Sequence, residues 1–64
     1  MLNPDVANTI INTWMSGDWK KFDEKEKAAS AAGDQQAAQA YADQKNYIHW
    51  LANQLRQASG QPLE

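Results

Sequence analysis

The chain has no cysteine, so its fold must hold without disulfides and without thiolate-bound metal. It has one histidine, His49, and a single imidazole cannot build a metal site alone. It has no excess of one charge: six Lys and Arg stand against eight Asp and Glu, for a net charge of −2. A general nucleic-acid binder carries a basic stripe to meet phosphates, so nucleic acid is not an expected partner. No apolar run approaches the roughly 18 to 20 residues needed to cross a bilayer. No basic stretch leads into an apolar one as in a secretory leader. A membrane partner is therefore not expected, and the expected compartment is the cytoplasm. No segment alternates polar and apolar residues with period two, so no strand is expected.

What remains is a 64-residue chain, room for one domain at most. A chain this short buries only about 60% of the surface that its unfolded form exposes. Domains of this size usually need a staple. With disulfides and metal gone, tight helix packing and self-association are left. Three tryptophans, two tyrosines and one phenylalanine supply much of the bulk for a core, and aromatics bury a large area per residue.

Glycine and proline are scarce, at three and two, and each marks a boundary. Asn3-Pro4-Asp5 reads as an N-cap, a proline at the first helical position and an acid in the first turn, with Leu2 at the staple position before the cap. Val6, Ala7, Ile10, Ile11 and Trp14 then form one stripe. A first helix is expected from about Pro4 to Met15. Ser16-Gly17-Asp18 reads as a turn in which Ser16 or Asp18 caps a second helix, from about Asp18 to Ala32. The alternative is one helix kinked at Gly17. Trp19, Phe22 and Ala29 share a face of the second helix, diluted by Glu26 and Ser30. Its charge run reads as a solvated face held by pairs such as Asp23 and Lys27 at i,i+4.

Gly33-Asp34 offers a left-handed stop and the next N-cap. A third helix is expected over about Gln35 to Ala58, and Gly60-Gln61-Pro62 ends it before a loose tail. Ala37, Tyr41, Gln44, Ile48, Leu51, Leu55 and Ala58 are spaced 4, 3, 4, 3, 4, 3, a heptad-like seam. Short connections make neighbours antiparallel, so Phe22 is expected near Gln44 and Trp19 near Ile48. The fold expected is all-α: a small antiparallel bundle of three helices, in which the short first helix folds back over Ile48, Leu51 and Leu55. The domain is expected to span residues 1–62, with Leu63-Glu64 set aside as a vector-derived tail.

No nucleotide, zinc or calcium motif is present. Asp23, Glu24 and Glu26 sit beside lysines on a face expected to be exposed, whereas a hydrolytic carboxylate pair needs a cleft. No enzyme activity, catalytic residue, metal or cofactor is expected. His49 is expected at the rim of the third helix. Trp14 and Trp19 are expected in the core.

Trp50 points more than about 100° away from the Ile48–Leu51–Leu55 stripe at 3.6 residues per turn. Its neighbours there are polar and mostly uncharged: Asp43, Asn46, Asn53, Gln54 and Gln57. A tryptophan in such a ring fits a protein-binding hot spot; the competing reading has the first helix cover it. Tyr47, between Trp50 and the seam, suits either role. The function expected is a small protein–protein interaction module (an adaptor, inhibitor or assembly factor, as in bacterial or phage accessory proteins). The alternatives are a self-associating structural bundle, with a second copy as partner, and a helix-turn-helix DNA-binding regulator. The last suffers because the third helix carries only Lys45 and Arg56 as cations.

Overall fold

Asn3 starts the first helix by accepting the backbone N–H groups of Asp5 and Val6 on its Oδ1, at 2.8 and 3.4 Å. In the computed structural model, which describes residues 1–64, α1 spans Pro4–Ser16, α2 Asp18–Ala31 and α3 Gln35–Ala58. The chain is all-α, with 80% of its residues in helix and no strand.

Only Gly17 separates α1 from α2. The helical ladder passes through it: its N–H bonds to Thr13 O and its carbonyl accepts from Lys21 N, both at 3.0 Å. No backbone bond joins residues 18–20 to residues 14–16. The result is a bend in one arm rather than a reversal. A Cβ at Gly17 would lie 2.9 Å from Thr13 O, so the bend needs glycine. Neither Ser16 nor Asp18 caps α2; Ser16 Oγ instead donates to Asn12 O.

The reversal comes at Gly33, whose φ of 78° suits glycine. Asp34 then caps α3 by accepting Ala37 N on its Oδ1 at 3.1 Å. From that turn the arms run antiparallel until Leu2 N–H meets Ala58 O at 2.9 Å. The molecule measures 44 × 15 × 12 Å, long and only two helices thick. The expected three-helix bundle is thus corrected. α1 does lie over the end of α3, but it arrives as the continuation of α2 and adds no third layer.

The seam on α3 is rotated by about 50° from the expected one, because half of its positions move by one residue at about 100° each. Ala38, Ala52 and Ser59 are buried and Lys45 is half-buried. Tyr41, Ile48 and Leu55 fill the places between them. Ala37 and Leu51 are only half-buried, and Gln44 and Ala58 face water. Two causes select this rotation. Alanine and serine let the arms approach closely, and Lys45 finds partners that Gln44 would not. Its Nζ bonds Asp23 at 2.7 Å and Glu26 at 2.8 Å and lies 4.8 Å from the centre of the Trp19 ring. The charge run of α2 is thus not wholly solvated, since Asp23 and Glu26 face α3. The expected Asp23–Lys27 pair forms as well, at 2.9 Å. Among the aromatic rings, Phe22 meets Tyr41 at 6.3 Å between ring centres and Trp19 meets His49, next to Ile48, at 5.9 Å.

The core is thin. Its buried apolar residues are Ala7, Ile11, Ala38, Ile48 and Ala52, and no large side chain is completely enclosed. Trp14 and Trp19, expected in the core, are half-buried.

Candidate functional site

A 24-residue helix with one face against its neighbour leaves another face to water. On α3 that outer face holds Tyr47 and Trp50, three residues apart and so on adjacent turns. Their rings stack at 6.0 Å between centres and 11° between planes. They remain 57% and 55% exposed, which decides between the two readings of Trp50: α1 does not cover it.

The polar ring drawn from the sequence divides. Asn46, Gln54 and Gln57 are exposed beside Trp50. Asn53 is half-buried and already engaged. Its Oδ1 accepts Arg56 Nη1 at 2.9 Å and the backbone N–H of Glu64 at 3.1 Å, so it is not a free contact residue. The tail that carries Glu64 is not loose. Gln61 N–H bonds Arg56 O at 2.8 Å, and the Glu64 carboxylate reaches Arg56 at 3.4 Å and His49 at 3.5 Å.

Sequence reasoning missed Leu51 as part of this surface. Half-buried, it stands one turn beyond Tyr47 on the outer side of the seam. With it a second 3–4 repeat emerges: Ala40, Gln44, Tyr47, Leu51, Gln54 and Ala58, spaced 4, 3, 4, 3, 4. The signal is present in the sequence, but Gln44, Leu51 and Ala58 also fit the inner seam, which masks it.

The electrostatics of α3 are the reverse of the usual helix. Its two cations point inward, with the Lys45 side chain 18% and the Arg56 side chain 17% exposed. The hydrogen bond to Asp23, then the one to Glu26, raises the pKa of Lys45 above the ordinary lysine value. Hydrogen bonds from Lys45, then from Lys27, hold the Asp23 carboxyl below the usual carboxylate range. The one charge toward the outer side is Asp43, which accepts Gln39 Nε2 at 2.9 Å. No group of three metal-capable side chains gathers anywhere in the chain, and no residues converge to hold a cofactor.

The arrangement leaves on α3 an outer face with little charge on which two aromatic rings stack. No family model matches the chain, and no curated protein or solved structure matches it either.

Proposed function

We propose that this chain is a non-enzymatic protein-interaction module, acting in the cytoplasm through the outer face of α3 with Trp50 and Tyr47 as anchors. One observation carries the reading: a stacked Tyr–Trp pair stands more than half exposed on a face with almost no charge. Binding hot spots are enriched in tryptophan and tyrosine and lie where charge is sparse. Leaving two such rings in water has no benefit to a hairpin whose own core is short of bulk.

The DNA-binding alternative loses support at the same place. Lys45 is committed to Asp23 and Glu26, and Arg56 to Asn53 and Glu64. This leaves α3 without free cations to anchor phosphates.

The test compares the parent with Trp50→Ala. The variant should melt within about 0.5 kcal/mol of the parent in dilute solution, as surface changes do. Immobilised side by side in a native lysate, the parent should retain a protein that the variant loses. A loss of about 3 kcal/mol or more of stability in Trp50→Ala, the cost of truncating a buried aromatic, would overturn the reading. So would retention of nucleic acid by both.

A further inference from the structure

We infer that the partner of this face is a second copy of the chain, packed antiparallel across a two-fold axis that passes near residue 49; this rests on the outer face of α3 being a binding surface. A two-fold interface must be complementary to itself. The strip meets that condition by its spacing. An axis at residue 49 sets Tyr47 against Leu51 of the other copy, Gln44 against Gln54 and Ala40 against Ala58. The bulky layer lies at the centre, amide meets amide beside it, and alanine meets alanine at the ends, where the helices can close on each other. The two Trp50 side chains fall about 3 Å apart along the helix direction, at 1.5 Å per residue, and on the same edge. They and the two Tyr47 rings form one aromatic cluster.

Charge is compatible with this pairing. Asp43 is the sole charge toward the strip, and its mate in the other copy lies about 18 Å away along the helix. That exceeds the screening length of about 8 Å at physiological salt, so the two carboxylates do not oppose the contact. An α2 face laid on its own copy would instead bring its exposed lysines 20, 21, 25 and 27 together.

Area limits the strength of the contact. The protomer exposes 4424 Å², whereas a folded monomer of 7.2 kDa is expected to expose about 4,100 Å². The excess goes with a thin, elongated hairpin, and a second copy on α3 covers part of it. The strip is about 27 Å long and about 10 Å wide, small for a specific interface. Association is therefore weak.

Sedimentation equilibrium of the full chain from about 10 μM to about 1 mM reads this directly. The parent should pass from monomer to dimer. Trp50→Ala should weaken the dimer by about 30-fold or more, the effect of losing a hot spot, and should remain helical by circular dichroism. Geometry is read with thiols, since the chain has no cysteine of its own. Ala40→Cys mixed with Ala58→Cys should form a covalent dimer with a short bifunctional thiol reagent. Neither should do so alone, because each is about 27 Å from its own copy along the helix. A parent that stays monomeric at about 1 mM, a dimer indifferent to Trp50→Ala, or self-crosslinking of Ala40→Cys alone would each overturn the proposal. A monomeric parent that still captures another protein through Trp50 sinks only the second copy. A dimer indifferent to Trp50→Ala, with no Trp50-dependent capture, sinks the binding face as well.

Discussion

The outer faces of α2 and α3 are both in water, and they could hardly differ more. On α2 the exposed side chains include Lys20, Lys21, Glu24, Lys25 and Lys27, a solvated surface that keeps other chains at a distance. On α3 the exposed side chains include Gln44, Tyr47, Trp50 and Gln54, and the cations have gone inward. Similar exposure thus goes with two different compositions. The α2 face matches what solubility asks of a helix. The α3 face carries little charge and keeps aromatic area, as the contact surface proposed for it would.

The largest effect expected tests what the two arms share. Ile48 is buried against the other arm, and Ile48→Ala should cost on the order of 2 to 4 kcal/mol, much of the stability of so small a domain. Urea unfolding at low protein concentration measures it; a loss under about 1 kcal/mol would mean that the seam is wrongly placed and the comparison of faces with it.

Leu51→Ala should cost less in the isolated chain, about 1 kcal/mol, since a half-buried leucine loses only part of its transfer free energy. Its effect should grow with protein concentration, because Leu51 also faces the second copy in the proposed dimer. A melting temperature that falls equally at all concentrations would assign Leu51 to the core alone.

A smaller effect separates the inward charges from the outward ones. Asp23 has a lowered pKa, so its contribution is present above the ordinary carboxylate value of about 3.9 and is lost as pH falls through the lowered one. Lys45 has a raised pKa. Its contribution is present below the ordinary lysine value of about 10.4 and is lost as pH rises through the raised one. Melting temperature should therefore be level between about pH 5 and 9 as far as this pair is concerned, and should fall on both flanks. In Lys45→Met the alkaline fall should shrink and the acid fall should lessen. Unchanged flanks in that variant would deny the pair a role in holding the arms.

The smallest effect is expected on the charged face. Lys20→Ala and Lys21→Ala should each change stability by no more than about 0.5 kcal/mol and leave sedimentation unaltered. If either matched Trp50→Ala in its effect on association, the contrast between the two faces would fail.

Much of the local structure was legible in the residues. Asn3-Pro4, Gly33-Asp34 and Gly60 mark the ends of helices by capping chemistry that acts within four residues, and α3 runs over Gln35–Ala58 as its caps imply. The direction of Trp50, more than about 100° off the apolar stripe, was legible as well, but its exposure was not, because the first helix could have covered it. Asn53 was not, since its contact with Glu64 depends on where the tail folds. Nor was Leu51, which two interleaved repeats both claim.

The bend at Gly17 shows where the residues stop deciding. Glycine between two polar residues permits a turn or a kink, and the two differ by how the ladder from Thr13 to Lys21 is completed. The seam shows the same limit. Gln44 and Lys45 are neighbours, and only pairing with Asp23 and Glu26 on the other arm makes the lysine the inward one. The sequence by itself determined the helices, their caps and the stripe that Trp50 avoids, because those depend on neighbours one turn away. Tertiary structure alone decided the rotation of α3 and the single bent arm, because ion pairs and close approach between arms depend on residues about twenty positions apart in the chain.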